Sequence, residues 1–289
     1  MTTRVCVVCE RESQESGLEE AAVHSNVRIF RNEAFVLWRC PHCRSLHARD
    51  EVDLAHYYAH YPFHDLPVDW RLRAMYGNQL ARLRRAGLEK QHRILDYGCG
   101  GGHFVEFLRS AGYENVTGFD EYSPKYGDKG VLSETYDCIH SQDVIEHVAA
   151  PHELLREFEG LTRKGAVIAV GTPNAANIDL SHAKDFEHTI HAPYHRHILS
   201  KDALLDAGKR AGWALQRFYP TMYSNTRIPF LNERFYLYYI RLTDGTLDSL
   251  MEPVRTSALL MRGPLTLFWG LFGSFFSRGT DVMAVFRRS

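Results

Sequence analysis

The chain has 289 residues, 45% of them hydrophobic and 24% charged, with a formal net charge of −1. That profile suits an ordinary globular protein of one α/β domain plus a small appendage, and it supplies no global field to draw the chain onto nucleic acid or an anionic membrane. The longest apolar run, Pro264 to Phe276, is too short to span a bilayer. The first ten residues carry neither a basic stretch nor an apolar one, so the expected location is the reducing cytoplasm, where paired cysteines argue for metal rather than disulfides.

Residues 1–49 contain Cys6-Val-Val-Cys9 and Cys40-Pro-His-Cys43. Each pair places two thiolates on a tight knuckle, and two knuckles complete a closed tetrahedral site, so Cys6, Cys9, Cys40 and Cys43 are expected to hold a structural Zn2+. In a segment too small to bury its own core, metal binding is folding energy. The stretch Asn26 to Trp38 is expected to form the hairpin of a zinc ribbon. Residues 50–90 read as a connector ending in a helix, with Leu72, Met75, Leu80 and Leu83 near helical spacing. From Asp69 to Arg93 seven basic residues meet two acids, which reads as a solvated helix face.

From residue 91 onwards short apolar runs alternate with amphipathic stretches, the mark of βαβ units and a parallel sheet. Arg93-Ile-Leu-Asp-Tyr-Gly-Cys-Gly-Gly-Gly-His-Phe is the most informative segment. Ile94 and Leu95 form a buried strand. Gly98, Gly100, Gly101 and Gly102 make a turn in which no side chain blocks a ligand from the backbone, and a helix then opens into the same crevice. A dinucleotide fingerprint fails here, because its third glycine position holds His103. Asp96 ahead of the glycines would repel a pyrophosphate but can accept hydrogen bonds from the cationic amino-acid part of a sulfonium cofactor. Val116-Thr-Gly-Phe-Asp120 reads as a second strand ending in an acid placed to accept from ribose hydroxyls.

Together with Tyr136-Asp-Cys-Ile-His-Ser-Gln-Asp-Val-Ile-Glu-His-Val148, Leu161 to Asn174 and the closing Asp281-Val-Met-Ala-Val-Phe, these segments resemble class I S-adenosylmethionine-dependent methyltransferases of the type 23-like group. The resemblance spans about residues 90–218 and 279–288. It implies a Rossmann-like, doubly wound, seven-stranded sheet of order 3-2-1-4-5-7-6 with the last strand antiparallel. It also implies S-adenosylmethionine bound by Asp96, Gly98, Cys99, Gly100, Gly102 and Asp120, with Ser141, Gln142 and Asp143 after the fourth strand as further contacts. Only about 15 residues separate Asp120 from Tyr136, so the third strand is expected to be very short and the adenine contact falls near Val131 to Ser133 or Ser141-Gln142. Cys99 and Cys138 read as packing residues.

A zinc ribbon ahead of such a core is similar to bacterial methyltransferases of sugars and natural-product intermediates. The resemblance therefore implies a small-molecule, saccharide or lipid-linked acceptor. An RNA base methyltransferase using the ribbon is the rival, and Glu10, Glu12, Glu15, Glu19 and Glu20 in the ribbon count against nucleic acid. A non-catalytic module that only binds S-adenosylmethionine is a third reading. Methyl transfer is an in-line displacement, and an alcohol acceptor benefits from a general base. His195, His147 and His197 are the candidates, on loops leaving the carboxyl edge of the sheet. The insertion 219–279 is aromatic-rich and expected to be helical. It reads as a cap over the site mouth, or alternatively as an apolar patch (256–278, with Arg255, Arg262 and Arg278 at its edges) that meets a membrane.

Overall fold

A computed structural model describes residues 2–61, 68–255, 259 and 263–289. Two small sheets precede the main one. Strands β1 (Thr3–Val5) and β2 (Glu12–Gln14) pair antiparallel around the first cysteine knuckle. Strands β3 (Glu19–His24), β4 (Ala34–Arg39) and β5 (Leu46–Ala48) form an antiparallel meander that brings in the second knuckle. The hairpin is thus β3 with β4, and Asn26 to Phe30 is its connecting loop rather than a strand. Glu19, Glu20 and His24 face outward on β3, and this polar face hid the strand from a reading based on apolar runs.

Two helices follow, α1 (Leu54–Tyr58) and α2 (Trp70–Arg85). Asp69 caps α2 by accepting from the amides of Arg71 and Leu72. The basic face of α2 is only partly solvated. Arg82 is buried and donates to the Thr221 and Met222 carbonyls, because the returning insertion leaves those acceptors without strand partners.

The main sheet begins with β6 (Ile94–Tyr97), α3 (His103–Ser110) and β7 (Val116–Phe119). It continues with β8 (Tyr136–Gln142), α4 (Pro151–Gly160) and β9 (Thr162–Pro173). After the short helix α5 (Glu187–Ile190) and strand β10 (His197–Ile198) come α6 (Lys201–Arg210) and β11 (Trp213–Tyr219). The insertion supplies α7 (Glu233–Leu242) and α8 (Gly263–Phe272), and β12 (Asp281–Arg288) closes the chain. Strand order is β11-β12-β9-β8-β6-β7, with β12 antiparallel to both neighbours and the remaining pairs parallel. This matches the expected order without its third strand. Among the described residues the sheet has six strands, not seven, because Lys129–Ser133 form a 3-10 turn where that strand would lie. Fifteen residues that must also wrap Tyr126 and seat Val131 and Leu132 on the core leave no length for helix and strand together.

Core side chains cover both faces of the sheet, as a parallel sheet requires. Leu80, Leu83, Phe104 and Leu108 from α2 and α3 cover one face with Ile94 and Val285. Leu154, Phe158, Leu204 and Ala207 from α4 and α6 cover the other, and there Cys6, Val8, Trp38 and Cys40 join the same cluster. The cysteine segment is tied in by polar contacts too. Arg39 is buried and donates to the Ala175 and Ile178 carbonyls at 2.9 and 2.6 Å. Ser200 caps α6 through Ala203 N, donates to the Cys43 carbonyl at 2.6 Å, and β10 pairs directly with β5.

Candidate functional site

The glycine turn after β6 has the geometry its composition suggests. Gly98, Gly100 and Gly102 all have positive φ (76°, 53° and 79°). A Cβ on Gly98 would come within 2.2 Å of Val144 Cγ2, and one on Gly102 within 2.3 Å of the Tyr126 ring. The amides of Gly98 and Cys99 both donate to the Phe119 carbonyl, and Gly100 N donates to Asp120 Oδ2 at 2.9 Å. Asp120 therefore sits at the tip of β7 against the turn, and its Oδ1 accepts from Tyr122 N. What the turn offers a ligand is glycine surface and the α3 N-terminus, which carries no side-chain cap.

Asp96 is buried, and its Oδ1 takes a 2.6 Å hydrogen bond from His140 Nδ1. His140 Nε2 in turn accepts from Gln79 Nε2 on α2 at 2.6 Å. The acid of the glycine motif is thus oriented by a histidine of the neighbouring strand rather than left open to solvent. Sequence reading passed over His140 and Gln79. A histidine at an inward position of a central strand was the available signal, since such a group needs a buried partner. Ser141 is buried in β8, and Gln142 is held between Gln79 and Asp143. Burial pushes the Cys99 thiol up and takes Cys138 to about 12, so neither is a thiolate at neutral pH.

At the carboxyl ends of β8 and β9 the structure gathers Glu146, His147 and His195. The two rings lie 4.8 Å apart at 76°. His147 Nδ1 is 3.0 Å from the Tyr194 carbonyl and 2.9 Å from the Tyr58 hydroxyl. Glu146 Oε2 accepts from Thr172 Oγ1 at 3.0 Å, and its Oε1 lies 3.9 Å from His195 Nε2. Burial takes His147 down to about 4 and holds His195 well below its usual range, helped by His147 and His191 as like charges. Burial and then Asp143 push Glu146 up, and burial raises Asp143 to about 6 and Asp281 to about 8. Both imidazoles are therefore neutral at pH 7, with lone pairs available. The third histidine, His197 on β10, is outside the three-residue cluster: its N donates to the Glu146 carbonyl at 3.4 Å, but its ring lies 6.3 Å from the His47 ring, toward the cysteine segment.

The four ribbon cysteines form the other cluster. Cys6 Sγ and Cys43 Sγ are 3.6 Å apart, Cys9 Sγ and Cys40 Sγ 3.7 Å, and all four lie within 4.8 Å of one another. The knuckles match, each with a left-handed residue after its second cysteine, Glu10 (φ 60°) and Arg44 (φ 62°). Hydrogen bonding with Cys6 and Ser45 draws the Cys43 thiol down to about 5.

Comparison with known proteins adds to this geometry. The methyltransferase domain family matches residues 70–217, just over half of the chain. The chain belongs to that family. The glycine turn, Asp120 and their flanking strands lie within the matched residues. No curated protein matches this methyltransferase. Among solved structures it is similar to the [4+2]-cyclase SpnF, with a TM-score of 0.47, 15% identity, and 78% of this chain and 84% of that one covered. A cyclopropane synthase from Mycobacterium tuberculosis has a TM-score of 0.46 at 14% identity, covering 81% of this chain and 98% of that one. An S-adenosylmethionine-dependent methyltransferase from Mesorhizobium loti has 0.44 at 14%, covering 73% and 98%.

The apolar insertion divides into two faces. Thr266 and Gly270 of α8 are buried toward α7, and Asn232 caps α7 while donating to the Trp269 carbonyl. Leu267, Phe268, Leu271 and Phe272 are between 40% and 54% exposed. Arg262 and residues 256–258, 260 and 261 lie outside the described residues. Arg255 pairs with Glu252, and Arg278 donates to the Asp185 carbonyl. No described helix is long and apolar enough to cross a membrane.

Proposed function

We propose that this methyltransferase moves the methyl group of S-adenosylmethionine onto a hydroxyl of a saccharide, glycolipid or other small metabolite. The observation that carries this reading is the Glu146–His147–His195 cluster at the carboxyl edge of β8 and β9. Ligands of doubly wound sheets bind at that edge, and the cluster supports loss of the hydroxyl proton as the in-line displacement proceeds. Formation of S-adenosylhomocysteine with saccharide and lipid-linked acceptors tests it. Replacing His195 or His147 with Ala should lower kcat/KM by about 100-fold or more while cofactor affinity holds, in line with the usual weight of a proton-handling group. Full turnover in both variants would sink it.

We assign the thiolate cluster to structural zinc. Two thiolates each about 2.3 Å from one tetrahedral zinc stand about 3.8 Å apart, close to the 3.6 and 3.7 Å separations of the two cross-knuckle pairs. Four sulfurs leave no open position, so this ion would hold the fold and take no part in transfer. The acidic residues around it, with Glu10, Glu12, Glu19 and Glu20 exposed, disfavour an RNA acceptor.

The exposed apolar side of α8 favours a lipid-linked acceptor among those classes. Flotation with liposomes tests that choice: the wild-type chain should float, and Phe268→Ser with Phe272→Ser should not. Absence of wild-type binding removes it and leaves the soluble acceptors.

A further inference from the structure

We propose that Glu146, His147 and His195 form a second metal site, binding a divalent first-row cation through one carboxylate oxygen and two imidazole nitrogens. The potential ligand atoms of the three residues lie within 4.8 Å of one another, as the four thiolates do. Glu146 and His195 are each more than nine-tenths buried, and Glu146 Oε1 has no hydrogen-bond partner. A buried carboxylate oxygen left unpaired is costly and calls for an explanation.

The distances supply one. Glu146 Oε1 and His195 Nε2 are 3.9 Å apart. That is too long for a hydrogen bond, but it is within the roughly 4.2 Å spanned by two metal–ligand bonds of about 2.1 Å laid end to end. A cation between the two atoms satisfies both where a direct contact satisfies neither.

The surrounding groups orient each ligand. The Tyr194 carbonyl, 3.0 Å from His147 Nδ1, can only accept, so Nδ1 carries the proton and Nε2 presents its lone pair. Metal-ligating histidines are commonly fixed this way, by a backbone carbonyl on the other ring nitrogen. Thr172 Oγ1 donates to Glu146 Oε2 and leaves Oε1 for the cation. The donor set of two nitrogens and one oxygen suits zinc, manganese, iron or cobalt rather than calcium.

Three protein donors leave positions for water or an acceptor oxygen, the pattern of catalytic rather than structural sites. An acceptor hydroxyl bound there loses its proton to water more readily. The O–CH3 bond then forms as the S–CH3 bond breaks, and S-adenosylhomocysteine leaves. That chemical role alone rests on the methyl-transfer reading of the same cluster; the presence of the cation does not.

The test counts zinc in the full-length chain. Wild-type protein is equilibrated with Zn2+, passed over a chelating resin to strip loosely held ions, and analysed for zinc per chain. Two ions are expected in wild type and one in Glu146→Gln and His195→Gln, with S-adenosylmethionine affinity retained as the sign of an intact domain. Equal zinc in wild type and both variants overturns the proposal. Should the variants fail to fold, Co2+ loading of the wild type decides. Two Co2+ per chain, of which one gives the sulfur-to-cobalt charge-transfer band, is the expected result, and a single Co2+ carrying that band refutes the site. Zinc stoichiometry is independent of turnover, so the cation site can fail while methyl transfer stands, and the reverse.

Discussion

The two polar clusters of this methyltransferase differ in how they are built from the chain. The thiolates come from two four-residue knuckles, each closed by its own backbone hydrogen bonds, Cys6 N to Arg11 O and Cys40 N to Ser45 O. Glu146, His147 and His195 come instead from two loops 48 residues apart, brought together by tertiary contacts: the main sheet positions the Glu146 loop, β10 pairs with β5, and Arg196 N donates to the Glu146 carbonyl at 3.0 Å. A site closed by soft ligands at local spacing serves the fold and can be recognised in a sequence. A site assembled at the sheet edge serves the ligand and depends on the rest of the protein being folded.

The sharpest way to break that contrast is to remove a thiolate. Cys6 and Cys40 are buried in the same cluster as Leu95, Ile139 and Phe158, so loss of the proposed zinc should destabilise the main sheet along with the cysteine segment. Cys40→Ser should cost about 5 kcal/mol or more, the range reserved for lost metal sites, read as a fall in the denaturant midpoint of the whole chain. If instead the core unfolds at its wild-type midpoint, the cysteine segment is an independent appendage.

A smaller effect distinguishes the acid-rich edge. Asp281 opens β12 with Thr280 as its hydrogen-bond partner, and burial together with Glu233 and Asp143 raises it from 3.8 to about 8. A carboxyl raised in the folded state contributes its full stability below pH 4 and loses it as pH rises through 8. Asp281→Asn should therefore flatten the stability profile between pH 4 and 8 and stabilise the chain by ~4 kcal/mol near pH 7, given about 1.4 kcal/mol for each of the roughly three units between the unfolded value and that pH. Urea midpoints across that range check it, and an unchanged slope in the variant removes Asp281 as the cause.

The same contrast explains what could be read in advance. The glycine turn, the acid at the end of the second strand and the cysteine knuckles are encoded within a few residues each, where spacing carries the information, whereas the strand order follows only from the family resemblance. The missing third strand was visible only as a short interval, because a 3-10 turn that seats Val131 and Leu132 has no period of its own. The β3–β4 register was masked by outward acids. The pairing of Asp96 with His140 and Gln79 joins three separate elements, and so does the departure of His197 from His147 and His195. Both are consequences of tertiary packing, to which local pattern is blind.

The least disruptive change examines the link between the cofactor turn and the Glu146–His147 loop. Gly98 has φ of 76°, and a Cβ there would meet Val144 Cγ2 at 2.2 Å. Val144 stands two residues before Glu146, and His147 N donates to the Val144 carbonyl at 2.9 Å. Gly98→Ala must either strain the turn or push this loop away from it, costing roughly 1–3 kcal/mol. We expect S-adenosylmethionine to bind about tenfold more weakly and zinc at the Glu146 site to be lost more readily, while zinc at the thiolates is held as before. Isothermal titration with the cofactor and zinc analysis of the same preparation measure both. The two responses moving together would show that the glycine turn and the metal-binding loop act as one unit through Val144. Loss of cofactor affinity with zinc at Glu146 unaffected would place the boundary between them at that side chain.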